Sequence, residues 1–289
     1  MVETTVSFHC TACGRCCNSP PVMTVPELFH HEDLFVGALG VRPGAGGAPE
    51  LLTQGFDYPS AGACPARRDD GLCAIHGNRK PAMCATVPLD PRQSDDRQHV
   101  ILVDRARGGG YIGADCIVPG TRDGMPVLVA GGEVRDPAYR MHLVTHRAAL
   151  ADERRQWGDD VTALLRDEGA LFPRGATTGL LILPLVPVLA VLAARSQRCR
   201  LRCLRYLERQ STLIQRRIDD ALARRQDVDR PLTRSLRGYL AAYERLAAAL
   251  GRGGVQPAAP LVAEATEAYL DVSPGPTLSA QGLRSGPRA

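Results

Sequence analysis

The chain has 289 residues, of which 44% are hydrophobic, and its formal net charge is +4. A chain of this length and composition can build one or two hydrophobic cores, so it does not need disulfides to remain folded. Aromatic residues make up only 4% of the chain. This is too few for a surface that stacks single-stranded bases, and nucleic acid is not an expected partner.

The first residues include an early glutamate, Glu3, and contain no long apolar run. This pattern argues against a secretory signal peptide and predicts a cytoplasmic location. In a reducing compartment, clustered cysteines are more often metal ligands or redox groups than disulfides.

The ten cysteines are unevenly distributed, because eight of them precede Gly120 and only Cys199 and Cys203 follow. We therefore expect an α+β fold with a small, loop-rich cysteine-cluster domain that contains short strands, followed by an all-α helical region. The predicted boundaries are 1–135 for the cysteine-cluster domain, 136–272 for the helical domain and 273–289 for a disordered tail.

One helix is predicted in the first part of the chain. Thr24 supplies an N-cap, Glu27 completes a capping box, and the apolar residues that follow, as far as Leu39, supply an inner face. From Gln98 the sequence predicts an apolar strand, a glycine-rich turn and a second short strand that ends at Cys116. The glycines of this turn lack the GxGxxG spacing, which favours a hairpin over a phosphate-binding loop.

Beyond residue 136 the apolar residues recur at intervals of three and four, which predicts helices over 138–157, 196–225, 231–250 and 258–270. Residues 175–194 are uncharged and are flanked by Arg174 and Arg195. Their number matches a membrane span. However, Pro184 and Pro187 interrupt the run, which favours a buried core helix broken by proline. Membrane association stays open as the alternative.

Cys10, Cys13 and Cys16 follow one another at three-residue steps. The spacing C-x2-C-x2-C is that of [4Fe–4S] sites, whereas a single C-x2-C pair suits zinc. Cys17 directly follows Cys16, and neighbouring side chains of an extended chain face opposite ways. We therefore expect Cys17 to point away from Cys16 and at least one further ligand to come from elsewhere in the chain.

The sequence offers further ligands after this cluster. Seven or eight cysteines exceed the need of one mononuclear site, so they suit one cluster with spare thiols, a polynuclear site or two metal centres. The predicted cofactor is an iron–sulfur cluster, of the [4Fe–4S] type, or zinc, with a slight preference for iron. The predicted ligands are Cys10, Cys13, Cys16, Cys17, Cys64, Cys73, Cys84, Cys116 and His76.

These residues form a combined motif that resembles the CxxCxxCC cysteine-cluster family of zinc- or iron-chelating domains, which includes the bacterial flagellin lysine N-methylases. The resemblance covers roughly residues 7–120, although His76 and Val87 stand where many members have an aromatic residue. It implies metal binding and, through the methylases, protein lysine methylation. The sequence has no motif that binds S-adenosylmethionine in the Rossmann manner. The matching segments are Phe8-x-Cys10-x2-Cys13-Gly14-x-Cys16-Cys17, Cys64-Pro65, Cys73-x-Ile75-His76 and Lys80-Pro81-x2-Cys84-x2-Val87-Pro88.

Three functions follow from these predictions: an enzyme that modifies protein lysines, a non-enzymatic metal or redox sensor or carrier, and a metal-stapled interaction scaffold. Lys80, the only lysine of the chain, precedes Pro81 and Cys84, where its charge would stabilise a thiolate-ligated centre.

The helical region carries three further features with a structural and a functional interpretation. His142 and His146 share a helix face but lack the H-E-x-x-H pattern of zinc enzymes, so we expect packing or solvent exposure. Cys199 and Cys203 are expected in the core, with ligation as the alternative. The eight arginines of residues 195–217 are expected to form a solvated face, and an acidic partner or phospholipid head groups are the alternative.

Overall fold

The computed structural model describes residues 5–10, 14–18, 20–44, 49–56, 64–76, 80–108, 116–167, 180–225, 227, 229–253 and 259–272. The strands, in chain order, are β1 (Val6–Phe8), β2 (Gly37–Pro43), β3 (Pro49–Gly55), β4 (Ile117–Pro119), β5 (Val127–Ala130), β6 (Glu133–Val134) and β7 (Leu181–Pro184). The helices are α1 (Val25–His30), α2 (Ala82–Thr86), α3 (Gln98–Gly108), α4 (Pro137–Glu153), α5 (Asp159–Asp167), α6 (Val186–Ala193), α7 (Gln197–Arg224), α8 (Asp229–Arg252) and α9 (Pro260–Asp271).

The fold class is α+β, as predicted, with antiparallel sheets and many helices. The described residues divide into two units. Unit 1 comprises those within Met1–Ser19 and Ala63–Ala148, and unit 2 comprises those within Pro20–Gly62 and Ala149–Ser273. This division differs from the predicted boundary at residue 135, which assumes that each domain is one continuous stretch of chain. The predicted disordered tail lies outside the described residues.

Unit 1 is built on a four-stranded antiparallel sheet in the order β4-β1-β5-β6. Strand β1 pairs with β4 so that Phe8 lies opposite Ile117. Both residues belong to the hydrophobic core, which also takes Leu102 from α3 and Leu143 from α4. This core fixes the end of β1. The chain then continues into the segment of residues 10–17, called the first cysteine segment.

Residues 98–108 form helix α3, so the prediction of a strand at this position is wrong. The acidic residues Asp95 and Asp96 form a short 3-10 turn directly before the helix, and negative charge stabilises a helix N-terminus. The buried side chain of Gln98 accepts a hydrogen bond from the Asp90 amide and donates one to the Asp90 carbonyl. The second predicted strand, which was expected to end at Cys116, lies almost entirely outside the described residues, and strand β4 begins directly after Cys116. The predicted glycine-rich turn at Gly109, Gly110 and Gly113 lies outside the described residues.

Unit 2 contains a second antiparallel sheet in the order β3-β2-β7. The predicted capping box of α1 is present, but α1 ends at His30 and residues 37–43 form β2. The expectation of one inner helix face as far as Leu39 is therefore wrong. The Gly37 amide donates to the side-chain oxygen of Gln210, and the Gly37 carbonyl accepts from the Tyr243 hydroxyl. These bonds hold the first residue of β2 in place.

The uncharged segment of unit 2 is split at its prolines. Residues before the break form β7, which pairs with β2, and those after it form α6. Strand β7 corrects the expectation that residues 136–272 are all-α, although the buried helix after the break is confirmed. Among the described residues, the helices are either too short or too polar to span a membrane.

The four long helical segments predicted after residue 136 are confirmed in α4, α7, α8 and α9. Helix α7 begins at its N-cap Ser196, whose side chain accepts from the Cys199 amide. Cys199 and Cys203 are buried in the core of unit 2, as expected.

Part of the arginine-rich face of α7 is paired within unit 2. Arg198 and Arg202 both form ion pairs with Asp271 of α9, and Arg195, which precedes α7, pairs with Asp160. These ion pairs neutralise three of the arginines that could otherwise bind an acidic partner. Binding of such a partner stays a prediction.

A buried carboxyl group, that of Glu153, joins three parts of unit 2. Its Oε1 atom accepts hydrogen bonds from the Val25 amide at the start of α1 and from the Tyr269 hydroxyl of α9. Its Oε2 atom lies 2.6 Å from the Thr53 hydroxyl, which also lies 2.6 Å from the Met23 carbonyl oxygen. A hydroxyl has one proton, and a carbonyl can only accept. The Thr53 hydroxyl has one proton to share between these two acceptors, and protonation of Glu153 would let its carboxyl group donate to Thr53 while Thr53 donates to Met23.

Burial raises the pKa of Glu153 from its ordinary value of 4.5 to about 7. The folded state therefore binds this proton more tightly than the unfolded state does. The resulting stabilisation is complete below pH 4.5 and is lost as the pH rises through 7. We expect the substitution Glu153→Gln to remove this loss, because the amide can donate to Thr53 and accept from Val25 and Tyr269. Above pH 7 the variant should have a free energy of unfolding up to about 3 kcal/mol larger than that of the parent.

Urea unfolding followed by circular dichroism between pH 4.5 and 8.5 measures this difference. The exposed Glu264 of α9 provides the matched control, because Glu264→Gln changes the same group without touching the buried network. If the free energy of unfolding changed with pH in the same way in the parent and in the Glu153→Gln variant, the raised pKa of Glu153 would be contradicted.

Candidate metal centre

Cys16 and Cys17 lie in a 3-10 turn that spans Arg15–Cys17. Their sulfur atoms are 4.0 Å apart. The expectation that these two side chains face opposite ways is therefore wrong, because it assumed an extended backbone. In the tighter turn, successive side chains are separated by about a third of a rotation, and two neighbouring thiols can lie on one side.

Gly14 makes this turn possible. Its φ of 70° lies in the left-handed region, which favours glycine. A Cβ atom at this position would lie 3.0 Å from the carbonyl oxygen of Gly71 and 2.8 Å from Nε of Arg67. The missing side chain therefore lets the first cysteine segment approach the backbone of the loop at residues 67–71.

This second loop, at residues 64–74, brings two more cysteines to the first segment. The Cys64 amide donates to the Cys17 carbonyl at 2.8 Å, which joins the two segments directly. Within the loop, the Ala74 amide donates to the Ala66 carbonyl, also at 2.8 Å, and Cys73 pairs with Arg67 as an antiparallel bridge. The backbone thus holds Cys17, Cys64 and Cys73 close together.

The backbone amides of Ala66 and Arg67 lie near the sulfur of Cys64, and the Arg67 amide donates to the Cys64 carbonyl at 2.9 Å. Burial raises the pKa of the Cys64 thiol to about 11, and the two amides oppose this shift because they stabilise the thiolate. Backbone amides directed at a cysteine sulfur are a feature that a thiolate ligand uses, because they spread its negative charge.

The thiols of this region influence one another electrostatically. The hydrogen bond from Cys16 lowers the pKa of Cys17, against burial and the charges of Cys64, Cys84 and Cys73. The same hydrogen bond, together with burial, raises the pKa of Cys16, whereas the charge of Lys80 lowers it. The contact between the two sulfur atoms therefore favours the thiolate form at Cys17 over that at Cys16.

Lys80 and Cys84 are positioned by helix α2. Pro81 is the N-cap residue of this helix, so Lys80 stands directly before its first turn and Cys84 in the middle. Partial burial of the imidazole is the main cause that lowers the pKa of His76, and the Lys80 charge lowers it further. His76 itself is exposed, and its amide donates to the Cys73 carbonyl.

The remaining predicted ligands are placed differently. Cys10 is exposed and follows β1, and Cys13 lies outside the described residues. Cys116 is buried in the hydrophobic core of unit 1, where its carbonyl accepts from the His9 amide. Its surroundings are those of a small hydrophobic residue, and its assignment as a ligand stays a prediction.

None of the nine cysteines that the structure describes is joined in a disulfide. Within the described ranges, no three side chains of histidine, cysteine, aspartate or glutamate are grouped closely enough to hold a metal ion. The backbone hydrogen bond between Cys64 and Cys17 and the bridge between Arg67 and Cys73 bring the two cysteine-bearing loops together.

Helix α4 adds residues to this region that the sequence did not assign to it. The pKa of Tyr139 is raised by burial and by the charges of Cys10 and Cys16, and its ring contacts that of Phe8 edge-on at 5.7 Å. Burial and the Lys80 charge lower the pKa of His142. The four-residue spacing of His142 and His146 was the available signal, but it did not indicate that the two imidazoles have different neighbours.

A comparison of the chain with models of known protein families, with curated proteins and with solved structures found no match. The resemblance to the CxxCxxCC family therefore stays a prediction from the motif. The interpretation of the site rests on the chemistry and the geometry of its own residues.

The close approach of Gly14 to the second loop provides a test of this geometry. We expect Gly14→Ala to destabilise unit 1 by about 1 kcal/mol for the left-handed conformation and by a further 1–3 kcal/mol for overpacking against Gly71. Gly124 is a matched control in the same unit, because it has a φ of 77° and no atom within 4 Å of an added Cβ. Gly124→Ala should incur only the conformational cost.

Hydrogen exchange of the backbone amides of unit 1, including that of Cys64, measures the local effect of both substitutions. Faster exchange at Cys64 in Gly14→Ala alone is the expected result. Equal losses of protection in the two variants would mean that the contact between Gly14 and Gly71 does not hold the loops together.

Proposed function

We propose that unit 1 binds a metal centre, zinc or an iron–sulfur cluster, through the thiolates of its clustered cysteines. The observation that carries this proposal is the backbone hydrogen bond between Cys64 and Cys17, since it joins two cysteine-bearing loops that are separated in sequence. The ligands of first rank are Cys16, Cys17, Cys64, Cys73 and Cys84. Cys10 and Cys13, on the same segment as Cys16 and Cys17, are further candidates.

The residues present suit a thiolate-bound metal. In a tetrahedral site with metal–sulfur bonds of about 2.3 Å, two sulfur ligands are roughly 3.8 Å apart. The separation of 4.0 Å between the sulfur atoms of Cys16 and Cys17 is close to this value. It supports a centre in which both thiolates bind the same metal atom. It does not favour a cubane in which each thiolate takes a separate iron atom.

The backbone supports binding without a rearrangement of the fold. The two loops are already joined by a backbone hydrogen bond, so the thiols can adjust to a metal by rotation about their side-chain bonds. Such a rotation costs much less free energy than folding a loop does. When bound, the metal would neutralise the mutual repulsion of the thiolates and contribute folding free energy. Lys80 would offset part of the remaining negative charge.

Anaerobic purification, with zinc, iron and acid-labile sulfide counted per chain, tests the proposal. We expect one or more metal atoms per chain in the parent protein, and a loss well beyond tenfold in affinity for Cys64→Ala and Cys73→Ala. The buried Cys199 of unit 2 is the matched control. Cys199→Ala removes a thiol outside unit 1 and should retain the metal.

A second measurement separates ligation from folding. Chelation of the parent protein should reduce amide protection at residues 64–76 and leave α7 and α8 protected, because the metal is expected to stabilise unit 1. A parent protein purified without oxygen that contains neither zinc nor iron would refute the proposal. Equal metal contents in the Cys64→Ala and Cys199→Ala variants would also refute it.

A further inference from the structure

Helix α4 is attached to α2 by a hydrogen bond between two buried side chains. Nδ1 of His146 lies 3.2 Å from the Thr86 hydroxyl oxygen. The single hydroxyl proton of Thr86 is directed at the carbonyls of Met83 and Ala82 within its own helix. Thr86 can therefore only accept from His146, which fixes the face of α4 that lies against α2.

His142 lies one turn earlier on this same face. Residues four apart in an α-helix are separated by about 6 Å along the axis and project from the same side. Since His146 meets Thr86, the last residue of α2, His142 lies along the same contact, and the influence of Lys80 on its pKa places it near the start of α2.

The Nε2 atom of His142 is buried and has no hydrogen-bond partner among the described residues. It is the only such side-chain atom in the described part of unit 1, since the others belong to Trp157, Arg195, Tyr206 and Tyr239 of unit 2. A buried polar atom without a partner costs about 1–3 kcal/mol. Such an atom calls for an explanation, and an ion is one of the partners that can supply it.

The face of α4 that carries His142 and the first cysteine segment pack against the same hydrophobic core. Tyr139, three residues earlier, lies on the same side of α4, and the charges of Cys10 and Cys16 raise its pKa in addition to burial. Cys16 and Tyr139 both pack against the hydrophobic core that contains Leu143. Lys80 is near His142 and also near Cys16. The face of α4 that carries Tyr139 therefore packs against the same core as the first cysteine segment, and His142 lies one turn along this face.

We propose that His142 is a nitrogen ligand of the metal centre in unit 1 and binds the metal through Nε2. This inference rests on the proposed metal binding and deepens it, because it names a ligand from the helical part of the chain. A neutral imidazole is the form that binds metals, and three thiolates with one imidazole are an established ligand set for zinc. The assignment also explains why this buried nitrogen lacks a protein partner.

X-ray absorption spectroscopy of the anaerobically purified protein tests the assignment at the edge of the metal it contains. In the parent protein we expect one nitrogen scatterer at about 2.0–2.1 Å beside sulfur at about 2.3 Å, if the metal is zinc. In His142→Ala the nitrogen contribution should disappear, and the affinity for the metal should fall at least about tenfold. His99→Ala is the control, since His99 of α3 lies in the same unit and its Nδ1 hydrogen-bonds the Asp96 carbonyl within the same segment.

The substitution His142→Gln distinguishes ligation from a structural role. Its amide keeps a hydrogen-bonding group near the position of Nε2 but replaces the imidazole ligand. Loss of the nitrogen scatterer in both His142 variants, with retention in His99→Ala, supports the proposal. Retention of the parent spectrum and affinity in either His142 variant overturns it.

The parent protein alone separates this inference from the proposed function. A metal bound by sulfur only, in the parent, overturns the assignment of His142 and leaves the thiolate site intact. A parent protein without metal overturns both. Thermal unfolding of the chelated variants, compared with the chelated parent, shows whether a loss of metal reflects a loss of folding.

Discussion

The arrangement of unit 1 depends on the close approach of Gly14 to the backbone of the loop around Gly71. A side chain at residue 14 would both occupy this space and oppose the left-handed conformation. The approach allows the Cys64 amide to reach the Cys17 carbonyl, so that two segments almost fifty residues apart become neighbours. The entropic cost of joining these loops is met during folding, and the metal that we propose for this unit would not have to supply it.

The cysteines of the chain fall into two groups according to their surroundings. Cys203 is buried in a hydrophobic core, and burial raises the pKa of its thiol to about 12, so a thiolate is strongly disfavoured there. Cys17 is half-buried in a loop, and the hydrogen bond from Cys16 lowers its pKa. A count of cysteines overestimates the number of ligands, because some of them are hydrophobic residues of the core. Position in a loop beside backbone amides that lower the pKa of the thiol, as for Cys64, is the better indication of a ligand.

The sequence was most informative where a pattern extends over many turns. Helices α7 and α8 repeat their apolar spacing over more than twenty residues, and the capping box at Thr24 marks the start of α1. The errors concern short apolar segments, for which periodicity does not distinguish a strand from a helix. Strand β2 pairs with β7, whose residues are 140 or more positions away. Such a partner is not visible in a local pattern, and tertiary pairing overrides local propensity.

The identities of the clustered cysteines could be read from spacing, but their geometry and the role of α4 could not. His142 and His146 are the same residue type on the same face, and a four-residue spacing is typical of two ligands of one ion. The structure gives them different environments. His146 hydrogen-bonds Thr86, the last residue of α2, whereas His142 lies one turn earlier on α4 and is influenced by the charge of Lys80, which precedes α2. One helix face thus serves both packing and, in our proposal, ligation. Only the neighbours of each imidazole, which depend on where α2 begins and ends, separate the two roles.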